Sequence, residues 1–166
     1  MTALDGEIRD GRHTMPVRVY YEDTDFSGVV YHAGYLRFME RGRTNYLRLL
    51  GVDHGELWEQ AVAREDAREP ACGEAPGFAF VLRSMQIEFL KPARMDDLLT
   101  VVTAPEDVKG ASMWLTQRVM RGEEVLIEAR VRVACVAGGR ARPIPKALRL
   151  AMRADQERAG VRGRLR

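Results

Sequence analysis

Apolar Val17, Val19 and Tyr21 alternate with Arg18, Tyr20 and Glu22, a period of two that predicts a half-buried strand. After a break at Ser27-Gly28 the period changes. Tyr35, Phe38 or Met39, Gly42, Tyr46 and Leu49 recur at three- and four-residue intervals, which predicts a helix with one buried stripe running to about Leu50. Gly51 then stands where a left-handed C-terminal cap is expected. Further on, the period of two returns over 78–90, 98–104, 111–121 and 124–136, with Gly110 and Gly122-Glu123 as turn signals between the last three. One long helix followed by an antiparallel meander is an α+β order. An antiparallel sheet wrapped around one long central helix satisfies it.

Composition narrows the class without changing this picture. The chain has 166 residues, 46% of them hydrophobic, enough for one globular domain with its own core. No apolar run approaches the roughly 18 residues of a membrane span, and the start of the chain is polar with early acids, so a cytoplasmic protein is expected. Cys72 and Cys135 lie far apart and lack metal-ligand spacing, so both read as ordinary thiols. The formal charge of +2 is uneven. Residues 149–166 hold six arginines (149, 153, 158, 162, 164 and 166) against Asp155 and Glu157, leaving −2 on the remaining 148 residues. Such a tail reads as a solvated, fraying helix, with weak contact to an acidic membrane as a further option. It lacks the interleaved aromatics that stack bases, and no nucleic-acid partner is expected.

The densest chemistry lies between the first strand and the helix. Glu22, Asp23, Asp25, Gly28 and His32 fall within eleven residues. A helix N-terminus presents N–H groups without intrahelical partners and carries the positive end of the peptide dipoles, so it can hold an oxyanion. A carboxylate from Asp25 beside such a site supplies the second part needed to cleave an acyl group. The same residue types also build turns and caps, so spacing alone leaves both roles open.

The motifs carry a resemblance. Tyr21-Glu22-Asp23-Thr24-Asp25, then Gly28-Val29-Val30-Tyr31-His32-Ala33, then Tyr35 to Arg41 closely resemble hotdog-fold acyl-CoA thioesterases of the YbgC and 4-hydroxybenzoyl-CoA thioesterase type. Two later blocks, 80–99 with Lys91-Pro92-Ala93-Arg94-Met95-Asp96-Asp97 and 128–136, resemble the same family, which gives a domain over 16–148 between an N-terminal tail and the Arg-rich segment. The resemblance implies a hotdog fold, an acyl-CoA substrate, no cofactor or metal, and a homodimer or homotetramer with sites between subunits. It also implies that Asp25 is the essential carboxylate, as nucleophile or general base. The thioester oxygen would be held by backbone N–H groups at Tyr31 and His32, with Gly28, Val29 and Val30 lining the substrate. Two departures bear on the acyl pocket: Gly34 stands where Asn or Ser is usual, and Phe26-Ser27 where small residues are common. The segment 60–77 is longer than the usual connection and is expected to be a surface loop, a helix extension or a lid.

Arg83, Ser84, Lys91 and Arg94 flank the second strand and its turn and are candidates for the coenzyme A end, the cations for its phosphates. Exposed strand charges that keep an edge soluble explain the cations equally well. Glu40, on the helix, is the rival carboxylate, and its simpler role is an ion pair or hydrogen bond with Arg37, Arg43 or Thr44. His32 could contact substrate or orient Asp25. Asp23 reads as a turn residue, and His13 and His54 as structural or exposed. No Gly-x-Ser-x-Gly elbow, phosphate loop, His-Glu-x-x-His or Cys-x-x-Cys is present, which disfavours serine, nucleotide and zinc hydrolases. The alternatives are a non-catalytic acyl-CoA or acyl-carrier-protein binding module and a membrane-tethered scaffold.

Overall fold

The computed structural model describes residues 3–55 and 79–163. The segment 60–77 with Cys72, and the side chains of Arg162, Arg164 and Arg166, lie outside the described residues. Strands β1 (Glu7–Arg9) and β2 (Arg12–Arg18) form a hairpin, followed by a 3-10 turn at Tyr21–Asp23 and helix α1 (His32–Leu49). Then come β3 (Ala79–Phe89), β4 (Leu98–Val108), β5 (Ser112–Arg121), β6 (Glu124–Ala137), β7 (Arg140–Ala141) and helix α2 (Lys146–Gly163). All pairings are antiparallel, in the order β1-β2-β4-β5-β6-β3, with the short β7 beside β6.

Helix α1 lies on one face of this sheet, as its apolar stripe requires. Gly34, Tyr35, Phe38, Met39, Gly42, Tyr46 and Leu47 are its buried positions, and the larger ones meet Leu99, Val101, Leu115 and Val119 of β4 and β5 in one core cluster. Each large side chain removed from water there contributes about 1.5–3 kcal/mol. Gly42 lets the two layers close: a Cβ on it would lie 2.9 Å from Val101 Cγ1 and 3.1 Å from Thr103 Oγ1. Gly51 ends the helix as expected. It has φ +93, its N–H donates to Arg48 O, and Val52 N–H reaches back to Leu47 O, the paired bonds of a Schellman cap.

The structure corrects three boundaries. The first strand spans Arg12–Arg18 rather than starting at Val17 and running to residue 22, and it is preceded by β1. Buried Met15 and His13 therefore belong to the packed body. Strand β4 continues past Ala104 to Val108, through a register shift at Pro105 where β2 no longer runs alongside. Proline is tolerated at such a bulge because the missing N–H costs no ladder bond. The C-terminal segment, expected to be a solvated helix, is instead seated on the body. Leu148, Met152, Asp155 and Ala159 form its buried stripe, Arg153 donates to Val108 O, and Arg158 pairs with Asp155.

Among the described residues no helix is long and apolar enough to cross a membrane.

Candidate active site

The loop after β2 is built around Asp23. Its carboxylate accepts the Tyr20 N–H at 2.8 Å, and its carbonyl accepts the Tyr31 N–H at 3.0 Å. A bridge between Thr24 and Val30 closes the loop one residue further in. Asp25 then begins a tight turn: its N–H donates to Val29 O at 2.9 Å, and its carbonyl receives the Gly28 N–H at 3.0 Å. Gly28 stands at φ +75, where a side chain would be strained. Ser27 N–H fixes one carboxylate oxygen, Asp25 Oδ1, at 2.8 Å. Asp25 itself is exposed, and among the described residues nothing donates to its other oxygen, Oδ2.

Helix α1 starts beside this turn, with Tyr31 as an N-cap that makes no side-chain capping bond. Gly34 N–H turns back onto Tyr31 O at 2.7 Å. The N–H groups of His32 and Ala33 have no acceptor among the described residues, and they stand at the positive end of the helix. This amends one expectation. The Tyr31 N–H, anticipated as an oxyanion donor, is engaged by Asp23, because the loop needs that bond to close. Gly34 lets the first helical turn approach the loop: a Cβ there would sit 3.0 Å from Val30 Cγ1 and 3.6 Å from Asp23 O.

The His32 ring lies tilted against that of Tyr31 at 4.1 Å between centroids and edge-on to Phe89 at 6.4 Å. Among the described residues it makes no hydrogen bond to Asp25.

The turn 90–97 forms the opposite wall. Val30 N–H donates to Ala93 O at 2.8 Å and Val29 bridges Arg94. Asp97 accepts the Arg94 N–H at 2.9 Å and the Arg121 guanidinium at 2.8 Å. Desolvation pushes the Asp97 carboxyl up, but these donors outweigh it and hold it below the ordinary carboxylate range. Glu124 accepts from Lys91 at 2.6 Å and from Arg121 at 2.7 Å, and these bonds hold its carboxyl low as well. Lys91 is thus committed to Glu124, while Arg94 and Arg83 are exposed and make no ion pair among the described residues.

Asp25, Gly28, Val29, Val30, Tyr31, His32 and Arg94 are brought together. Arg83 and Ser84 are not: they lie six and five residues up β3 from Phe89, roughly 17–20 Å at strand rise. Glu40 lies two turns along α1, about 12 Å from its start. It is exposed and accepts from Thr44 Oγ1 at 2.7 Å. His13 is fully buried with Nε2 on Asp5 O, and His54 bonds Thr44 O, so both histidines serve the fold. Among the described residues no group of three or more His, Cys, Asp or Glu is placed to hold a metal ion. The Arg121–Asp97–Glu124–Lys91 network went unforeseen, because the Lys-Pro-Ala-Arg-x-Asp-Asp motif carries only half of it. The partners come from the β5–β6 hairpin.

Residues 19–152 match the family described as the thioesterase-like superfamily. The chain is 42% identical over 144 residues to the acyl-CoA thioesterase YbgC of Haemophilus influenzae, covering 86% of this chain and 95% of that protein. Among solved structures, a probable thioesterase from Bartonella henselae aligns with TM-score 0.64 at 37% identity, over 81% of this chain and 98% of that one. Slr0204, a 1,4-dihydroxy-2-naphthoyl-CoA thioesterase from Synechocystis, aligns with TM-score 0.69 over 85% and 95%. At 21% identity its likeness is one of fold.

Proposed function

This chain belongs to the thioesterase-like superfamily, has the hotdog fold and is a thioester hydrolase, and from that premise we propose that it hydrolyses an acyl-CoA to the free acid and coenzyme A, using Asp25. The observation that carries this reading is the turn that hangs the Asp25 carboxylate beside the start of α1. With Oδ1 held by Ser27 N–H, Oδ2 is the reacting oxygen. It either attacks the thioester carbonyl, expelling the coenzyme A thiolate and leaving a mixed anhydride that water cleaves, or takes a proton from the water that attacks. On both routes the carbonyl oxygen gains negative charge, which the free N–H groups of His32 and Ala33 receive. Names of relatives support the substrate: YbgC of H. influenzae is an acyl-CoA thioesterase.

The working unit in this proposal is a homo-oligomer built on β3. Among the described residues that strand is the sheet's last, and Val81, Leu82 and Phe89 on it are all at least 37% exposed. An edge of eleven residues with apolar side chains bare is a template for a further strand. A second copy pairing antiparallel about the strand centre would bring the Ala79 end of one subunit beside the Phe89 end of the other. Arg140 and Arg142, near the Ala79 end of one subunit, would then join Arg94 of the other as cations for the coenzyme A phosphates, while Arg83 stays at the middle of the seam.

The test is thiol release from short, long and aromatic acyl-CoAs by the native protein and by Asp25→Asn. Loss of at least a hundredfold in kcat, with the fold retained, supports the assignment. Turnover that survives in Asp25→Asn moves the chemistry to Glu40. No turnover by the native protein, together with acyl-CoA binding, makes it a binding module.

A further inference from the structure

Tyr35 has no place in the bond-making steps above, yet it sits at the junction of all three segments that form the site. It is 3% exposed, and its ring packs between Phe38 and Phe89 at centroid distances of 6.4 and 6.1 Å. A phenylalanine would satisfy that packing. The hydroxyl is therefore the feature to explain, because a buried phenol oxygen costs free energy unless it is bonded. It accepts the Ala93 N–H at 2.8 Å in a fully buried contact. Ala93 is itself 0% exposed, and its carbonyl accepts the Val30 N–H at 2.8 Å. Val30 ends the Asp25 turn, whose other end is tied to the helix by Tyr31 N–H on Asp23 O.

The bonds thus form a closed ring: the helix holds Ala93 through Tyr35, Ala93 holds Val30, and Asp23 returns to the helix at Tyr31. Asp25 hangs inside this ring and the His32 and Ala33 N–H groups stand on it. We infer that Tyr35 is a positioning residue for hydrolysis, its hydroxyl fixing the Asp25 turn relative to the helix start that receives the oxyanion. This inference rests on the thioester-hydrolase mechanism proposed above for Asp25. Desolvation pushes the Tyr35 phenol up, so it stays neutral and bonded across the working range of pH.

Tyr35→Phe keeps the ring and removes only the acceptor, leaving the Ala93 N–H buried and unsatisfied unless the turn moves. Displacement of a reacting group by about 1 Å costs up to a hundredfold in rate. The expected result is a kcat lowered about ten- to a hundredfold, KM within about threefold, and amide exchange at Ala93 and Val30 accelerated at least tenfold. Tyr46→Phe is the comparison. It deletes a buried hydroxyl three turns further along the same helix, bonded to Asp155 at 3.0 Å, and should lower Tm while leaving kcat within about twofold.

The inference is overturned if Tyr35→Phe turns over like the native protein with Ala93 still protected, or if both variants lose kcat in proportion to Tm. Fast exchange of the Ala93 amide in the native protein overturns it without any variant. A native protein that hydrolyses no acyl-CoA defeats the Asp25 mechanism instead, and the exchange data then decide alone whether the Tyr35 bond holds the turn.

Discussion

Gly42→Ala pits two effects of known size against each other. Alanine in a helix interior is favoured over glycine by about 0.8–1.0 kcal/mol, so on propensity alone the variant should be more stable. Packing opposes this. The new Cβ would stand 2.9 Å from Val101 Cγ1, 3.1 Å from Thr103 Oγ1 and 3.5 Å from Gln117 Nε2, whereas carbon atoms rest at about 3.5–4.0 Å. Relief requires α1 to withdraw by about 0.6–1 Å, since none of the three neighbours can give way. Val101 and Thr103 are 0% exposed and Gln117 1%, and Gln117 Nε2 is held by Met39 O and Thr103 Oγ1 at 2.8 Å each.

Overpacking of this kind costs about 1–3 kcal/mol and disturbs those two bonds, so the net change is a loss of about 1–2 kcal/mol. At about 2–4 °C per kcal/mol for a chain of this length, Tm should fall by about 2–8 °C. Urea melts should show a lower midpoint with an unchanged slope. Gly160→Ala on α2 is the counterpart: nothing lies within 4 Å of the added Cβ, so propensity acts unopposed and Tm should rise. A rise for Gly42→Ala as well would refute the argument that the helix and sheet meet at van der Waals limit there.

Two further outcomes are expected. Desolvation holds the His13 imidazole below its ordinary 6.5, so the unfolded chain takes up the proton first. Its contribution is intact above about pH 6.5 and is lost as pH falls below that, by at most about 1.4 kcal/mol per unit. Urea midpoints between pH 7.5 and 5.5 should decline in the native protein and decline less in His13→Gln; parallel declines would rule out His13 as the source. Glu40→Gln should leave thiol release within about twofold, since its carboxylate is exposed, bonded to Thr44 and two helical turns from the start of α1. A loss as large as that of Asp25→Asn would transfer the carboxylate role to Glu40.

The helix and the last strands were legible because their cause is local. The stripe from Tyr35 to Tyr46 and the left-handed position at Gly51 follow from spacing and from the absence of a Cβ. The hairpin turn at Gly122-Glu123 likewise needs only its own residues, and Gly122 stands at φ +60. The N-terminal hairpin was not legible, because β1 has three residues and no period of its own, and its place comes from pairing with Arg12–Thr14. The seating of α2 escaped because its arginines dominate the count. Leu148, Met152, Asp155 and Ala159 nonetheless stand at helical spacing, and buried Asp155 accepts from Tyr46, 109 residues away, as well as from Arg158 on its own helix.

The same division runs through the site. Asp25, the turn at Gly28 and the helix that follows were in the sequence, because a carboxylate, a residue free to adopt positive φ and an amphipathic stripe are properties of adjacent residues. Which N–H groups remain free at the helix start was not. The Tyr31 N–H is taken by Asp23, and the turn hangs from Ala93, because a chain closing into a compact loop must pair its buried amides with whatever carbonyl the fold brings near. The ion network of Arg121 with Asp97 and Glu124 is of that second kind too. Its members are joined by antiparallel pairing across three strands, so sequence alone determined which groups are proposed to react, and tertiary structure decided what holds them in place.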